Sequence, residues 1–185
     1  MIHVVRKMFW DFEKEEQWLN EISAKGLALT NYTWCKYVFT ETPKNEYTYR
    51  IELLDNVPTH PESIAYIRFL EENGVECVSS FGRWIYLRKK SSEGAFDIYT
   101  DLESKIKHFK RINTLWNSVI WLEFILGLAN ILIGLTNYFT SSSSISLVNV
   151  ILGGLLILLG LVFLRAGAPI RKKIKKLQQE NLIRE

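Results

Sequence analysis

The chain has 185 residues, 48% of them hydrophobic, which allows one domain and an anchor. Its net charge of +3 hides an asymmetry: residues 1–104 hold 12 Lys and Arg against 17 Asp and Glu, a balance of −5, and residues 105–185 hold 11 against 3, a balance of +8. An acidic first half argues against a nucleic-acid-binding head, whose footprint should be basic. The two cysteines, Cys35 and Cys77, have no CxxC spacing, which argues against a disulfide framework or a paired-thiol metal site.

The start, MIHVVRKMFWDFEKEEQW, reaches acidic residues before any apolar run forms, so no signal peptide is expected. Val4 to Phe9 is β-prone and reads as the first strand. Asp11 suits a helix N-cap, with Glu13, Glu15 and Glu16 as the solvated first turn, where carboxylates complement the helix dipole. Phe12, Trp18, Leu19 and Ile22 fall on one face of that helix, and Gly26 stops it. Leu27 to Phe39 alternates and reads as one or two strands, Thr42 to Asn45 as a turn, and Tyr47 to Leu53 as a further strand. Thr59-His60-Pro61-Glu62 has the form of a capping box. It opens a helix whose inward stripe is Ile64, Ile67 and Leu70, and Asn73-Gly74 closes it. Val75 to Ser79 and Gly82 to Lys89 are two more strands. The order is β-α-β-β-α-β with an extra strand, which predicts an α+β, ferredoxin-like head with a split βαβ arrangement.

Phe124 to Leu164 contains no charged side chain. A bilayer core about 30 Å thick takes about 20 apolar residues per helix, so this stretch is two spans. Ser141 to Ser144 supplies the break, within a turn expected at Thr136 to Ser144. Lys105, Lys107, Lys110 and Arg111 precede the spans, and Arg165, Arg171, Lys172, Lys173, Lys175 and Lys176 follow them. Positive flanks stay in the cytoplasm, so both termini are expected there, in a two-pass protein of the cell membrane. The expected divisions are a head at 1–92, a connecting juxtamembrane helix at 93–117, a transmembrane hairpin at 118–165 (about 118–139 and 145–165) and a basic cytoplasmic tail at 166–185. Within the spans, Gly127, Asn130, Gly134 and Asn137 share one face, and Asn149, Gly153 and Gly160 share another. Small and amide side chains suit close helix packing, so these stripes are expected to meet within the hairpin or between subunits of a homo-oligomer.

KEEQWLNEISAKGLAL, YTYRIEL, FGRWIYLRK and YTDLESKIKHFKRI occur in that order over about the first 112 residues. Together they resemble the bacterial family catalogued as domain of unknown function 2812. Leu87 departs from it, since the family more often has an aromatic residue there. The resemblance implies a cytoplasmic domain followed by transmembrane segments. Members often sit beside PadR-type transcriptional regulators, which implies a regulatory or sensing role and no known enzymatic activity.

No phosphate loop, nucleophile elbow or HExxH motif is present, and His3, His60 and His108 lack ligand-like neighbours. Neither a cofactor nor a metal ion nor a nucleic acid is expected, and the chain is not expected to be an enzyme. The density of rings in the head suggests either a packed core or a groove for a ligand or partner. For the groove, the candidates are Trp18, Phe81, Trp84 and Tyr86, with Arg50, Arg83 and Arg88 as polar anchors. The expected function is a membrane-anchored sensory or partner-binding protein acting on a cytoplasmic regulator such as a PadR-type repressor. The alternative is an accessory subunit of a membrane transporter or envelope-stress complex. The expected partners are the lipid bilayer and a protein.

Overall fold

The computed structural model describes residues 1–99, 101–141 and 144–184, with the side chains at 141, 144, 145 and 184 left aside. Thr100 of the YTDLESK motif, and Ser142 and Ser143 of the expected turn, lie outside the described residues. The chain forms two compact units, Met1–Thr100 and Asp101–Glu185.

The first unit runs β1 (Ile2–Arg6), α1 (Phe12–Ala24), β2 (Leu27–Thr33), β3 (Lys36–Glu41), β4 (Tyr47–Leu53), α2 (Pro61–Glu72), β5 (Val75–Phe81) and β6 (Trp84–Lys90). The α+β class holds, but a single ferredoxin-like sheet is not what these strands build. They form two antiparallel three-stranded sheets, of order β1-β3-β2 and β4-β6-β5. Each sheet is one βαββ unit whose last strand lies between the first two, so the split arrangement occurs twice. The copies keep a common spacing: Gly26 and Gly74 end the two helices, and bulges fall at Thr30 and Val78, both pairs 48 positions apart (74 − 26 and 78 − 30). The strand expected to be extra completes the second copy.

Asp11 caps α1 as expected, its Oδ1 accepting from the Glu13 amide at 3.0 Å. In α2 the cap is His60 rather than Thr59: its Nδ1 accepts from the Glu62 amide, and Pro61 occupies the first turn, where its missing N–H costs nothing. Ile64, expected inward, is 46% exposed, while Ser63 and Leu70 are buried and Tyr66 and Ile67 pack beside them. Ile67 and Leu70 of the expected stripe thus face inward and Ile64 does not. In β6, Ile85, Tyr86 and Leu87 are buried in succession, which requires both faces of the strand to be covered. Tyr86 packs with Leu19, Leu29, Tyr37, Phe39, Tyr49 and Ile51, whereas Ile85 and Leu87 pack with Leu54, Leu70, Val75 and Phe96.

β4 is an edge strand, and α1 closes it with side chains at positions 16, 20 and 23, one helical face. Glu16 accepts from the Ile51 amide at 3.0 Å. Asn20 accepts from the Tyr49 amide at 2.8 Å and donates to the Tyr49 carbonyl at 3.2 Å, and Ser23 donates to the Tyr47 carbonyl at 2.6 Å. At β2 the traffic runs the other way. The Leu29 amide donates to the Tyr49 hydroxyl, Arg88 donates to the Leu29 carbonyl, and Ser79 Oγ bridges the Tyr32 amide and carbonyl at 3.1 Å each.

The second unit is helical. Asp101 accepts from the Ser104 amide at 2.7 Å, which holds its carboxyl below the usual range, and α3 (Leu102–Ser141) begins there. At 1.5 Å per residue its 40 residues reach about 60 Å, so the expected juxtamembrane helix and first span are one helix. α4 (Ser144–Ala166) returns, Gly167 makes the bend, and α5 (Ala168–Arg184) follows. Arg171 donates to the Leu164 carbonyl at the end of α4, a basic side chain meeting the helix's free carbonyls. The basic tail is therefore a helix: Ile174 and Leu177 are buried, as are Ile106, Phe109 and Ile112 of α3, and Lys173 lies 4.6 Å over the Phe109 ring. The two candidate spans are long and apolar enough to cross a membrane.

Two outcomes are expected. Asn20→Ala leaves the Tyr49 amide without its side-chain acceptor, while the Tyr49 carbonyl keeps Arg50 as a donor, and it should cost about 1–3 kcal/mol, read as faster hydrogen exchange at β4. A Cβ at Gly153 would lie 2.5 Å from the Gly127 carbonyl oxygen, whereas one at Gly154 would meet nothing within 4 Å. Gly153→Ala should therefore lower hairpin stability by about 1–3 kcal/mol, measured by thermal melting in detergent, while Gly154→Ala should not.

Candidate functional site

Among the described residues, the most unusual chemistry lies inside the first unit. Glu15, expected on a solvated helix start, is buried, and its Oε1 accepts from the Tyr37 hydroxyl at 2.6 Å and the Tyr86 hydroxyl at 2.7 Å. The Tyr32 ring sits 4.7 Å from Tyr37 and 4.5 Å from Tyr86. Burial pushes the Glu15 carboxyl above its ordinary range, against the two hydroxyls that lower it. Both phenols are pushed upward, by burial first and by the carboxylate second, so they serve as donors. Neighbouring Glu16 is also raised by burial, although the Ile51 amide and Arg50 oppose this.

The sequence-predicted site residues separate. Trp18 packs into the core, its ring 4.9 Å from Tyr37 and 5.3 Å from Phe9, with Lys7 over it at 4.8 Å. Tyr86 belongs to the Glu15 cluster. Arg50 pairs with Glu16 at 3.2 Å. Arg88 makes two 2.8 Å bonds to Glu76 and lies 4.3 Å over Tyr47. Those two guanidiniums hold the head together. Phe81, Arg83 and Trp84 lie together at the β5–β6 turn, where Arg83 donates to the Asp55 carbonyl at 2.9 Å and Trp84 packs 5.7 Å from Phe12.

That end of the head carries an exposed surface. The β2–β3 turn is Trp34-Cys35, both with positive φ (37° and 59°), a two-residue turn of the kind that favours Asn-Gly. Left-handed backbone costs a non-glycine residue about 1–2 kcal/mol, and the matching β5–β6 turn avoids this with Gly82 at φ 61°. Trp34 is nevertheless 74% exposed, its ring 5.7 Å from Phe81, itself 37% exposed. Trp34 was legible only as one ring among many, because its pairing with Phe81 depends on β2 lying beside β5. A second exposed apolar surface is the outer face of α2, where Ile64 and Phe69 (58% exposed) flank Ala65 and Arg68.

In the helical unit, Gly127 and Gly153 face each other across α3 and α4, Gly134 lies against Ser146 and Val150, and Gly160 lies against Phe124. Asn130 donates to the Leu126 carbonyl of its own helix, and Asn137 and Asn149 are half-buried. No group of three or more His, Cys, Asp or Glu suited to a metal ion occurs among the described residues. Burial pushes the Cys77 thiol up to about 11.

These features suggest a membrane protein with an α+β head and a hairpin of two helices long and apolar enough to cross a bilayer. Residues 11–121 match the family described as Protein of unknown function (DUF2812), well over half the chain, and the chain belongs to that family. No curated protein and no solved structure matches the chain.

The Glu15 carboxyl, raised in the folded state, contributes stability that is fully present below its ordinary value of 4.5 and is lost as pH rises through the raised value. Glu15→Gln keeps an oxygen for both tyrosines. It should melt higher than the wild type at neutral pH, with the difference closing as pH falls toward 4.5.

Proposed function

We propose that this chain is a membrane-anchored, non-enzymatic partner-binding protein. Its head lies in the cytoplasm, both termini are cytoplasmic, and it regulates a cytoplasmic regulator such as a PadR-type repressor. One observation supports this reading above others: the outer face of α2 exposes Ile64, Ala65 and Phe69 beside Arg68. An amphipathic helix normally turns such residues inward, and apolar residues clustered on an outer face suit a protein partner. The Arg50 and Arg88 guanidiniums are engaged inside the head, which favours a surface over a ligand groove. The two-span anchor and its basic flanks support the topology.

Crosslinking in native membranes with mass spectrometry tests this, comparing the wild type with an Ile64→Ser, Phe69→Ser variant. A cytoplasmic regulator recovered with the wild type and reduced at least about tenfold with the variant is the expected result, since hot-spot truncations cost 1.4 kcal/mol or more. Recovery of integral membrane proteins irrespective of the head variant would place function in the anchor instead, as an accessory subunit.

A further inference from the structure

We propose that the Trp34 end of the head docks on an anionic bilayer surface. This inference does not depend on a regulator binding α2.

Four observations converge on the turn. Trp34 stands at a two-residue tip in a backbone conformation that its side chain disfavours, with Phe81 beside it. Strained positions of this kind persist where the surroundings enforce them, and they concentrate at binding sites. Cations ring the tip: Arg6 pairs with Lys36 across β1 and β3, and the Lys7 amide donates to the Cys35 carbonyl at 2.9 Å. All three residues are exposed, and no ion pair joins them among the described residues; the Lys7 ammonium also lies over the Phe9 and Trp18 rings, which leaves Arg6 and Lys36 as the cations closest to hand. The next carboxylate along that loop, Asp11, is turned to cap α1. Met8 and Trp10, on the same loop, are exposed as well.

The occupant follows from shape and chemistry. A convex two-residue tip offers far less than the roughly 800 Å² per partner of a stable protein interface. A bilayer interface takes such a tip readily: Trp settles at headgroup level, and Lys and Arg meet anionic lipid with their stems along the apolar boundary. The chain has two helices able to cross a membrane, so they hold the head at high effective concentration beside that surface. A free acidic protein would share the charge but not the preference for an exposed indole at the tip.

The test uses the full chain in nanodiscs of phosphatidylglycerol with phosphatidylcholine, against phosphatidylcholine alone. The readout is the rate at which a water-soluble maleimide modifies Cys35, located by mass spectrometry and normalised to the rate in detergent. Docking predicts about tenfold slower modification in the anionic discs, relieved by raised salt. Lys36→Gln should recover about fivefold of the rate, one cation's share at such a surface. Trp34→Asn, a residue the turn favours and therefore one that keeps the fold, should also restore it. Equal rates in the two discs, protection unaffected by salt, or Trp34→Asn protected like the wild type would each overturn the proposal. Protection in native membranes but in neither disc would assign the tip to a protein and equally overturn it. Because the α2 face is untouched, loss of regulator capture and loss of Cys35 protection report on separate surfaces.

Discussion

Strand β4 has an open edge, and Glu16, Asn20 and Ser23 close it with side-chain bonds to the backbone of Tyr47, Tyr49 and Ile51. An uncovered edge would leave those peptide groups unsatisfied and available to another chain. The same device works in reverse at β2, where Tyr49, Arg88 and Ser79 of the second copy satisfy Leu29 and Tyr32 of the first. The two βαββ copies are therefore joined by side chain to backbone rather than by strand pairing. Asn20 serves this purpose well because its amide presents both an acceptor and donors, matching what a neighbouring strand would offer.

This joint explains why polar residues of the head resist a functional reading. Arg50 supports Glu16, which in turn holds the Ile51 amide, and Arg88 is fixed by Glu76 while reaching Leu29. Glu15 is the group left over. It lies one residue from this polar ladder, so it points between the sheets and meets Tyr37 and Tyr86 instead of a cation. A protonated carboxyl there adds a donor to an already satisfied acceptor set, whereas the carboxylate bears the cost of burial.

Local chemistry was legible in the sequence wherever it is decided within a few residues. Asp11 caps α1, Gly26 and Gly74 end their helices, and the described residues of the uncharged run from Phe124 to Leu164 lie in two long helices. Long-range pairing was not. β1α1β2β3 and β4α2β5β6 run in the same order, with β2 and β5, and β3 and β6, starting 48 positions apart (75 − 27 and 84 − 36), but they differ in side chains, so the duplication becomes visible through the sheet orders and the matched bulges at Thr30 and Val78. Glu15 and Ile64 lie on the opposite side of their helices from the one their local sequence suggests, for a related reason. Periodicity locates an apolar face to within a position, and tertiary contacts with Tyr37, Tyr86 and β5 decide the rest. The span glycines follow from spacing, but which of Gly153 and Gly154 faces α3 depends on the crossing itself.

That crossing has a mechanical consequence. Backbone meets backbone at Gly127 with Gly153, and again where Gly134 meets Ser146, seven residues apart on each helix (134 − 127 and 153 − 146). Two contacts without intervening side chains, about two turns apart, leave no flexible spacer for a scissoring motion. The pair behaves as a single strut. A thicker or thinner bilayer is met by tilting the strut as one body, since neither helix can change its angle without separating from the other.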